Sequence, residues 1–252
     1  MIDPSLRATR RERVRAATVE EIKQTARQLL VEQGPAAVTL RAIARDMGMS
    51  APGLYRYFPN HEELIEALVC DVYVELAEHL AAVGRAVTEG PVRRMVTVAK
   101  EFRAWAVSHP REYGLVFATP VGALSDLTAP SRPPDAVELA GMQFGRVFLE
   151  IFFDLWRVQP FPVPADEELP ESLVTQLGVF RTTLAEVLGE AVSAMPIGAF
   201  HVFLRLWAQL YGLVAMEVYA HLTFCLTDVE PFFDTNLVEM GRILGLEKED
   251  HG

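Results

Sequence analysis

Thr39-Leu40-Arg41-Ala42-Ile43-Ala44-Arg45-Asp46-Met47-Gly48-Met49-Ser50-Ala51-Pro52-Gly53-Leu54-Tyr55-Arg56-Tyr57-Phe58-Pro59-Asn60-His61-Glu62-Glu63-Leu64 is the stretch that decides the fold of this chain. Thr39 is a good N-cap, and Leu40, Ile43, Ala44 and Met47 recur behind it at helical spacing to make one apolar face. Gly48 follows where a helix C-terminus favours a residue tolerant of positive φ. Ser50 caps a second helix, with Pro52 in its first turn, where no backbone donor is missed. Leu54 and Phe58 are four apart and face inward together, while Tyr55, Arg56 and Tyr57 cannot all follow them. Pro59-Asn60 ends that helix, and a further one begins at His61 or Glu62. Two short helices joined by a turn of about three to four residues make a helix-turn-helix, which lays its second helix in the major groove of DNA.

The residues from Met49 to Leu64 resemble the signature of TetR-type (tetracycline-repressor-like) regulators: a Val/Met-Ser start, then Leu-Tyr, a His/Tyr-Phe pair, and Lys-x-x-Leu at the head of the next helix. With the preceding helix the resemblance covers Val14 to Leu68. His61 stands where the family usually has Lys, which makes a phosphate contact there weaker or pH-dependent. A second, shorter resemblance lies further on. His109-Pro110-Arg111-Glu112-Tyr113-Gly114-Leu115-Val116-Phe117 and Leu206-Trp207-Ala208-Gln209-Leu210-Tyr211-Gly212 are similar to a C-terminal domain class with a Trp-(x)-His-Gly type motif, Tyr211 replacing the usual His.

Half of the 252 residues are hydrophobic, enough for a sizeable core, and the net charge is −11. An acidic chain argues against nucleic acid, but the charge is unevenly placed. Residues 1–60 carry ten Lys/Arg against six Asp/Glu; residues 61–252 carry thirteen against twenty-eight. A basic head on an acidic body suggests that only the head meets a polyanion. Cys70 and Cys225 form neither a metal spacing nor a disulfide framework, so a reducing cytoplasm is expected. No apolar run precedes Val14, so no signal peptide is expected. The most apolar stretch, Leu206 to Met216, is too short for a bilayer, which takes about 20 apolar residues.

Met1 to Arg13, with Arg7, Arg10, Arg11 and Arg13, reads as a flexible basic arm, either reaching along DNA or merely solubilising. Arg15 to Gln33 reads as the first helix, with Val19, Ile22, Ala26, Leu29 and Leu30 in its stripe and Gly34-Pro35 as its stop. Ile22, Leu29, Ile43, Leu54 and Phe58 are the expected core of a three-helix head. A long helix from His61 carries Leu64, Leu68, Val72, Leu76 and Leu80 and fades near Thr88-Glu89-Gly90-Pro91, joining head to body. Further helices are expected over Pro91–Ser108, Arg111–Phe117, Asp135–Val158, Glu171–Ala194, Pro196–His221 and Val229–Leu244. Pro-rich loops are expected over Thr119–Pro134 and Pro160–Pro170. No β alternation, internal repeat or low-complexity tract occurs. The expected fold is therefore all-α: an arm at 1–13, a DNA-binding head at 14–60, and a helical ligand-binding and dimerisation domain at 61–252.

The sequence has no Gly-rich phosphate loop, metalloprotease His pair, Gly-x-Ser-x-Gly elbow or Cys-pair metal site, and no visible nucleophile–base–orienter set. No catalytic residue, metal or cofactor is expected. In the head, Ser50, Ala51, Gly53 and Arg56 are placed to face the groove, Arg56 being the long donor that reads guanine or holds a phosphate. Thr39, Arg41, Tyr55, Tyr57 and His61 read as backbone-positioning groups, with packing under the head as the other role open to Tyr57. In the body, Phe102, Trp105, Tyr113, Phe117, Phe144, Phe148, Phe152, Trp156, Phe180 and Trp207 can line an apolar ligand cavity or close-pack a core. Met142 and Met195 are candidates for an adaptable wall. The last two helices have more apolar positions than one contact face buries, so Phe203, Leu210, Val214, Phe233, Leu237 and Met240 are expected at a four-helix homodimer interface.

The function these observations imply is a ligand-responsive DNA-binding regulator, a repressor by family resemblance. It is expected to act as a cytoplasmic homodimer on a palindromic operator and to be released by a small apolar molecule. The alternative is a helical small-molecule-binding protein or enzyme without DNA-binding function.

Overall fold

The structure, a computed structural model, describes residues 9–118 and 135–246. Among the described residues there is no strand, and the all-α expectation holds. The expected loop over Thr119–Pro134 lies outside the described residues. The chain divides into two compact units, one of Met1–Glu78 with His109–Phe144, the other of His79–Ser108 with Gly145–Gly252. This grouping differs from the expected division after residue 60, because a short helix after His109 belongs with the head helices.

In the first unit, α1 runs over Arg10–Gln33. It starts earlier than its apolar stripe suggests. Thr9 and Glu12 form a capping box, the Glu12 N–H donating to the Thr9 hydroxyl and the Thr9 N–H to the Glu12 carboxylate. Arg10 to Arg13, expected in the arm, are therefore the first turn of a helix, and residues 1–8 lie outside the described residues. Gly34, at φ 92, closes α1 with its N–H on the Leu30 carbonyl.

α2 (Leu40–Asp46) and α3 (Ala51–Tyr55) follow. Between them Gly48 sits at φ 65. The Met49 N–H reaches the Ala44 carbonyl and the Gly48 N–H that of Arg45, which satisfies the last carbonyls of α2. Ile22, Leu29, Ile43, Leu54 and Phe58 are all buried. α4 spans His61–Ala86 and is capped reciprocally by Asn60 and Glu63. Its Leu64, Leu68, Val72 and Leu76 are buried in step.

α6 (Pro110–Tyr113) and the π-helical turn Gly114–Ala118 complete the unit with the start of α7 (Ala136–Val158). Pairs far apart in sequence fasten α1 to its neighbours. Lys23 meets Asp71 at 2.6 Å; Arg27 meets Glu75 at 2.6 Å and the buried Glu112 at 3.0 Å. Arg111 donates to the Leu30 carbonyl at 3.2 Å, lying across Gly34.

The second unit contains α5 (Pro91–Ser108), the rest of α7, α8 (Glu171–Leu188), α9 (Glu190–Ser193), α10 (Ile197–Val218) and α11 (Glu230–Ile243). The single helix expected over Glu171–Ala194 is broken at Gly189, whose φ of 94 no helix accommodates. The Pro-rich segment before α8 packs on the start of α10. A Cβ on Gly198 would lie 2.2 Å from the Pro164 carbonyl oxygen, so only glycine fits there. Arg103 of α5 grips Glu217 of α10 through two hydrogen bonds of 2.7 and 2.6 Å, and Glu217 holds that guanidinium's pKa above its ordinary value. At 22 residues α10 is long and apolar enough to cross a membrane by length and composition, a longer apolar helix than the Leu206–Met216 stretch suggests. Phe200, Val202, Phe203, Leu210 and Val214 are nonetheless buried inside the chain.

Candidate nucleic-acid interface

An open depression on the head is lined by Thr39, Arg41, Tyr55, Asn60 and His61, with Pro35, Ala36, Val38, Leu40 and Pro59. Four of the expected DNA contacts thus meet in one concavity: Thr39, Arg41, Tyr55 and His61. All four are exposed. Thr39 comes from the cap of α2, and its hydroxyl accepts the Ala42 N–H at 3.2 Å, leaving its own hydrogen to donate outward. Ser50 does the same for the Gly53 N–H at 3.2 Å. His61 opens α4 with Nε2 2.6 Å from the Val38 carbonyl oxygen. A carbonyl only accepts, so Nε2 carries the proton. Nδ1 then donates to a phosphate only when the ring is an imidazolium.

α3 presents Pro52, Tyr55 and the following Arg56 to solvent, with Ala51 and Gly53 half-exposed between them and Leu54 turned into the core. Tyr57 is half-buried, and the Arg15 guanidinium lies 5.3 Å from its ring centroid. Arg15 also donates to the Arg56 carbonyl at 3.3 Å. It was not among the expected site residues: it lies 41 positions from Arg56, and its side of α1 carries no apolar stripe to mark it.

The aromatic residues read as lining a cavity or close-packing a core fall into two clusters. Tyr113, Phe117 and Phe144 belong to the first unit, where Phe117 lies 4.8 Å from Tyr113, 5.4 Å from Phe144 and 5.5 Å from Tyr73. Phe102, Trp105, Phe148, Phe152, Trp156, Phe180 and Trp207 belong to the second. There Phe102 meets Phe148 at 6.0 Å, Trp156 meets Phe161 at 4.8 Å and Phe180 meets Phe200 at 6.2 Å. Met195 is buried and Met142 exposed, and neither lines the cavity of the second unit.

The second unit holds a cavity of about 70 Å³. Val92, Met95, Val96 and Ala99 of α5 face Phe148, Phe152 and Leu155 of α7. Phe203, Leu206, Trp207 and Leu210 of α10, and Leu237, Met240, Gly241, Leu244 and Leu246 of α11 and its end, complete the lining. Of the ten expected ligand residues, Phe148, Phe152 and Trp207 line it. Tyr211 lies 6.4 Å from Trp207, and burial raises its phenol pKa.

Of the residues expected at a dimer interface, Phe203, Leu210, Val214, Phe233 and Met240 are buried within the single chain, and the half-exposed Leu237 lines the cavity. α10 packs against α5, α8 and α11, so its extra apolar positions are absorbed internally. The large apolar side chains that α10, α11 and their connection leave exposed are Leu204, Met216, Tyr219, Phe224, Phe232 and Val238.

Comparison with known proteins agrees with this architecture. Residues 15–68 match the profile of bacterial regulatory proteins, tetR family, and residues 95–240 match the tetracyclin repressor-like C-terminal domain. The HTH-type transcriptional regulators Rv1816 of Mycobacterium tuberculosis and Mb1846 of Mycobacterium bovis are each 34% identical over 112 residues, covering 44% of this chain and 46% of theirs. The chain thus spans less than half the length of the curated relatives it matches. Among solved structures, the regulatory protein SCO4313 superposes with a TM-score of 0.66 at 28% identity, covering 92% of this chain and 98% of that one. A protein of unknown function from Rhodococcus sp. RHA1 shares the fold, with a TM-score of 0.58 at 16% identity over 96% of this chain and 99% of its own. With its C-terminal profile covering more than half of the sequence and its helix-turn-helix in the matching N-terminal region, the chain belongs to the TetR family of bacterial regulatory proteins.

Proposed function

We propose that this protein is a ligand-responsive, non-enzymatic transcriptional regulator of the cytoplasm, a repressor that binds duplex DNA through α2, α3 and the start of α4. The observation that carries the reading is the depression in which exposed Thr39, Arg41, Tyr55 and His61 meet beside α3. Its polar groups sit on helix caps and first turns, where side chains and backbone N–H groups hold phosphate. Arg56 stands at the end of α3 as the long donor for a base edge. The basic balance of residues 1–60 supplies the attraction.

The protein acts as a homodimer on a palindromic operator, its two α3 helices entering successive major grooves ~34–36 Å apart. A small apolar molecule held in the second unit releases it. Release requires that the molecule bind the two states with different affinity. α4 contributes residues to both units, and a continuous helix is the simplest carrier of that difference.

A DNA-shift titration with Arg56→Ala tests the reading. The substitution costs about 1–3 kcal/mol and relaxes preference at one base position per half-site. A loss of equal size on all sequences reassigns Arg56 to phosphate. No duplex binding by the parent chain overturns the reading.

A further inference from the structure

The cavity of the second unit carries more information about its occupant than its apolar character alone. Among the described residues, its lining contains no charged side chain and no hydroxyl, carboxamide or imidazole, and the indole of Trp207 is the sole side chain of that lining with a polar hydrogen. A charged or multiply polar group placed inside would lose its water and gain no partner, at a cost of several kcal/mol. The part of any ligand that enters is therefore hydrocarbon.

The shape is equally restrictive. On α5 the lining runs from Val92 to Ala99, on α10 from Phe203 to Leu210, and on α11 from Leu237 to Leu244. Each is two turns of helix, ~10 Å of rise. Lining residues spaced over that length around only about 70 Å³ of space leave room for a slim guest alone. A zigzag of C–C bonds of ~1.5 Å covers it in roughly eight carbons. The floor, with Ala99, Phe152 and Leu210, is buried, whereas Val92, Leu237 and Gly241 remain partly open to solvent. Met95 and Met240 are unbranched and can yield to a slim guest.

We propose that this cavity takes an unbranched hydrocarbon chain tail-first, with any polar head left at the half-exposed rim, and that it selects by chain length and not by head group. The inference rests on the reading of the protein as ligand-responsive, and it names the class of ligand and the seat that ligand occupies.

The test is calorimetric titration of the full chain with primary alcohols of increasing length and with the matching carboxylates. Each added methylene tightens binding roughly fourfold, until the chain reaches about eight carbons and the gain stops. Alcohol and carboxylate series run parallel. Ala99→Leu fills the floor from α5, and Gly241→Leu fills the rim from α11, where an added Cβ meets nothing nearer than Leu246 at 3.9 Å. Either substitution abolishes the length-dependent binding, while Val179→Ala, on the exposed face of α8, leaves it unchanged. Binding that is indifferent to chain length in the parent protein overturns the proposal. So does binding that persists in a folded Ala99→Leu or Gly241→Leu chain.

A DNA-shift assay in the presence of the tightest alcohol separates the two readings. Length-dependent binding that leaves operator affinity unchanged keeps the cavity assignment and removes the ligand response. Release from DNA by a compound that still acts on both filled variants does the reverse.

Discussion

Arg15 of α1 donates from Nη1 to the backbone carbonyl of Arg56, 3.3 Å away, at the point where α3 ends. The same guanidinium lies 5.3 Å from the Tyr57 ring. The helix that carries the candidate base-reading residue is thus held from behind by a residue of a different helix, through contacts that name no base.

Arg15→Ala removes the carbonyl bond and the cation–π contact, together about 1–2 kcal/mol. Arg15 is exposed, so the head stays folded. DNA affinity falls on the order of tenfold and by the same factor on every sequence, because α3 loses its seating and not a base contact. Parallel titrations on a selected site and on random duplex check this. A loss confined to the selected site would make Arg15 a reader of bases.

Lys23 ties α1 to α4 through Asp71 at 2.6 Å, with Glu20 at 2.9 Å. Burial alone would lower its pKa; hydrogen bonds and charge from Asp71 and Glu20 outweigh that and raise it. A raised folded pKa contributes stability that is full below the ordinary lysine value of ~10.4 and is lost as pH rises through the folded value. Lys23→Met is therefore less stable than the parent at neutral pH, by about 1 kcal/mol for a partly exposed pair, and the two converge in strong alkali. Urea unfolding at pH 7 and above pH 11 measures both differences. An unchanged gap at the two pH values contradicts the linkage.

Much of the head was legible in the sequence because its devices are local. Thr39, Ser50, Gly34 and Gly48 act within a few residues of themselves, and the Leu64–Leu76 stepping marks one buried face. Pro91 and Ser108 bound α5 as expected. What periodicity does not give is the neighbour a face meets. Arg27 finds Glu112 across 85 positions, and no local pattern announces such a pair. Composition groups the aromatic residues as one set, yet Phe117 and Phe148 belong to different units. The capping box of Thr9 and Glu12 is a local signal too, set within a run of arginines that by charge alone reads as an arm.

Two backbone positions give opposite predictions. Ala220 ends α10 at φ 57, with its N–H on the Glu217 carbonyl and that of His221 on the Met216 carbonyl. Left-handed alanine is strained, so Ala220→Gly raises stability by about 1 kcal/mol. Gly198→Ala forces a Cβ to within 2.2 Å of the Pro164 carbonyl oxygen, and backbone must move. That variant melts well below the parent. Thermal unfolding followed by circular dichroism compares the three chains, and equal midpoints would contradict both assignments.

Leu210 is 6% exposed within the single chain, so Leu210→Glu buries an unpaired carboxylate and unfolds the protein instead of yielding a folded monomer. If α10 and α11 carry the contact between copies, it is made by their exposed positions. Phe232→Glu and Val238→Glu, at 41% and 39% exposure, then give folded monomers with weakened operator binding. Sedimentation with circular dichroism distinguishes the cases, and an intact dimer in both variants moves the contact to another face.

The central claim is that the head reads duplex DNA as half of a two-fold pair. Selection of duplexes from a random pool by the full chain, followed by titration of the winning sequence over a range of salt, tests it most directly. The account predicts an inverted repeat whose half-sites lie about one helical turn apart or a little more, and a log–log salt slope of roughly −4 or steeper. A pool that converges on no sequence, or an affinity that does not change with salt, would contradict it.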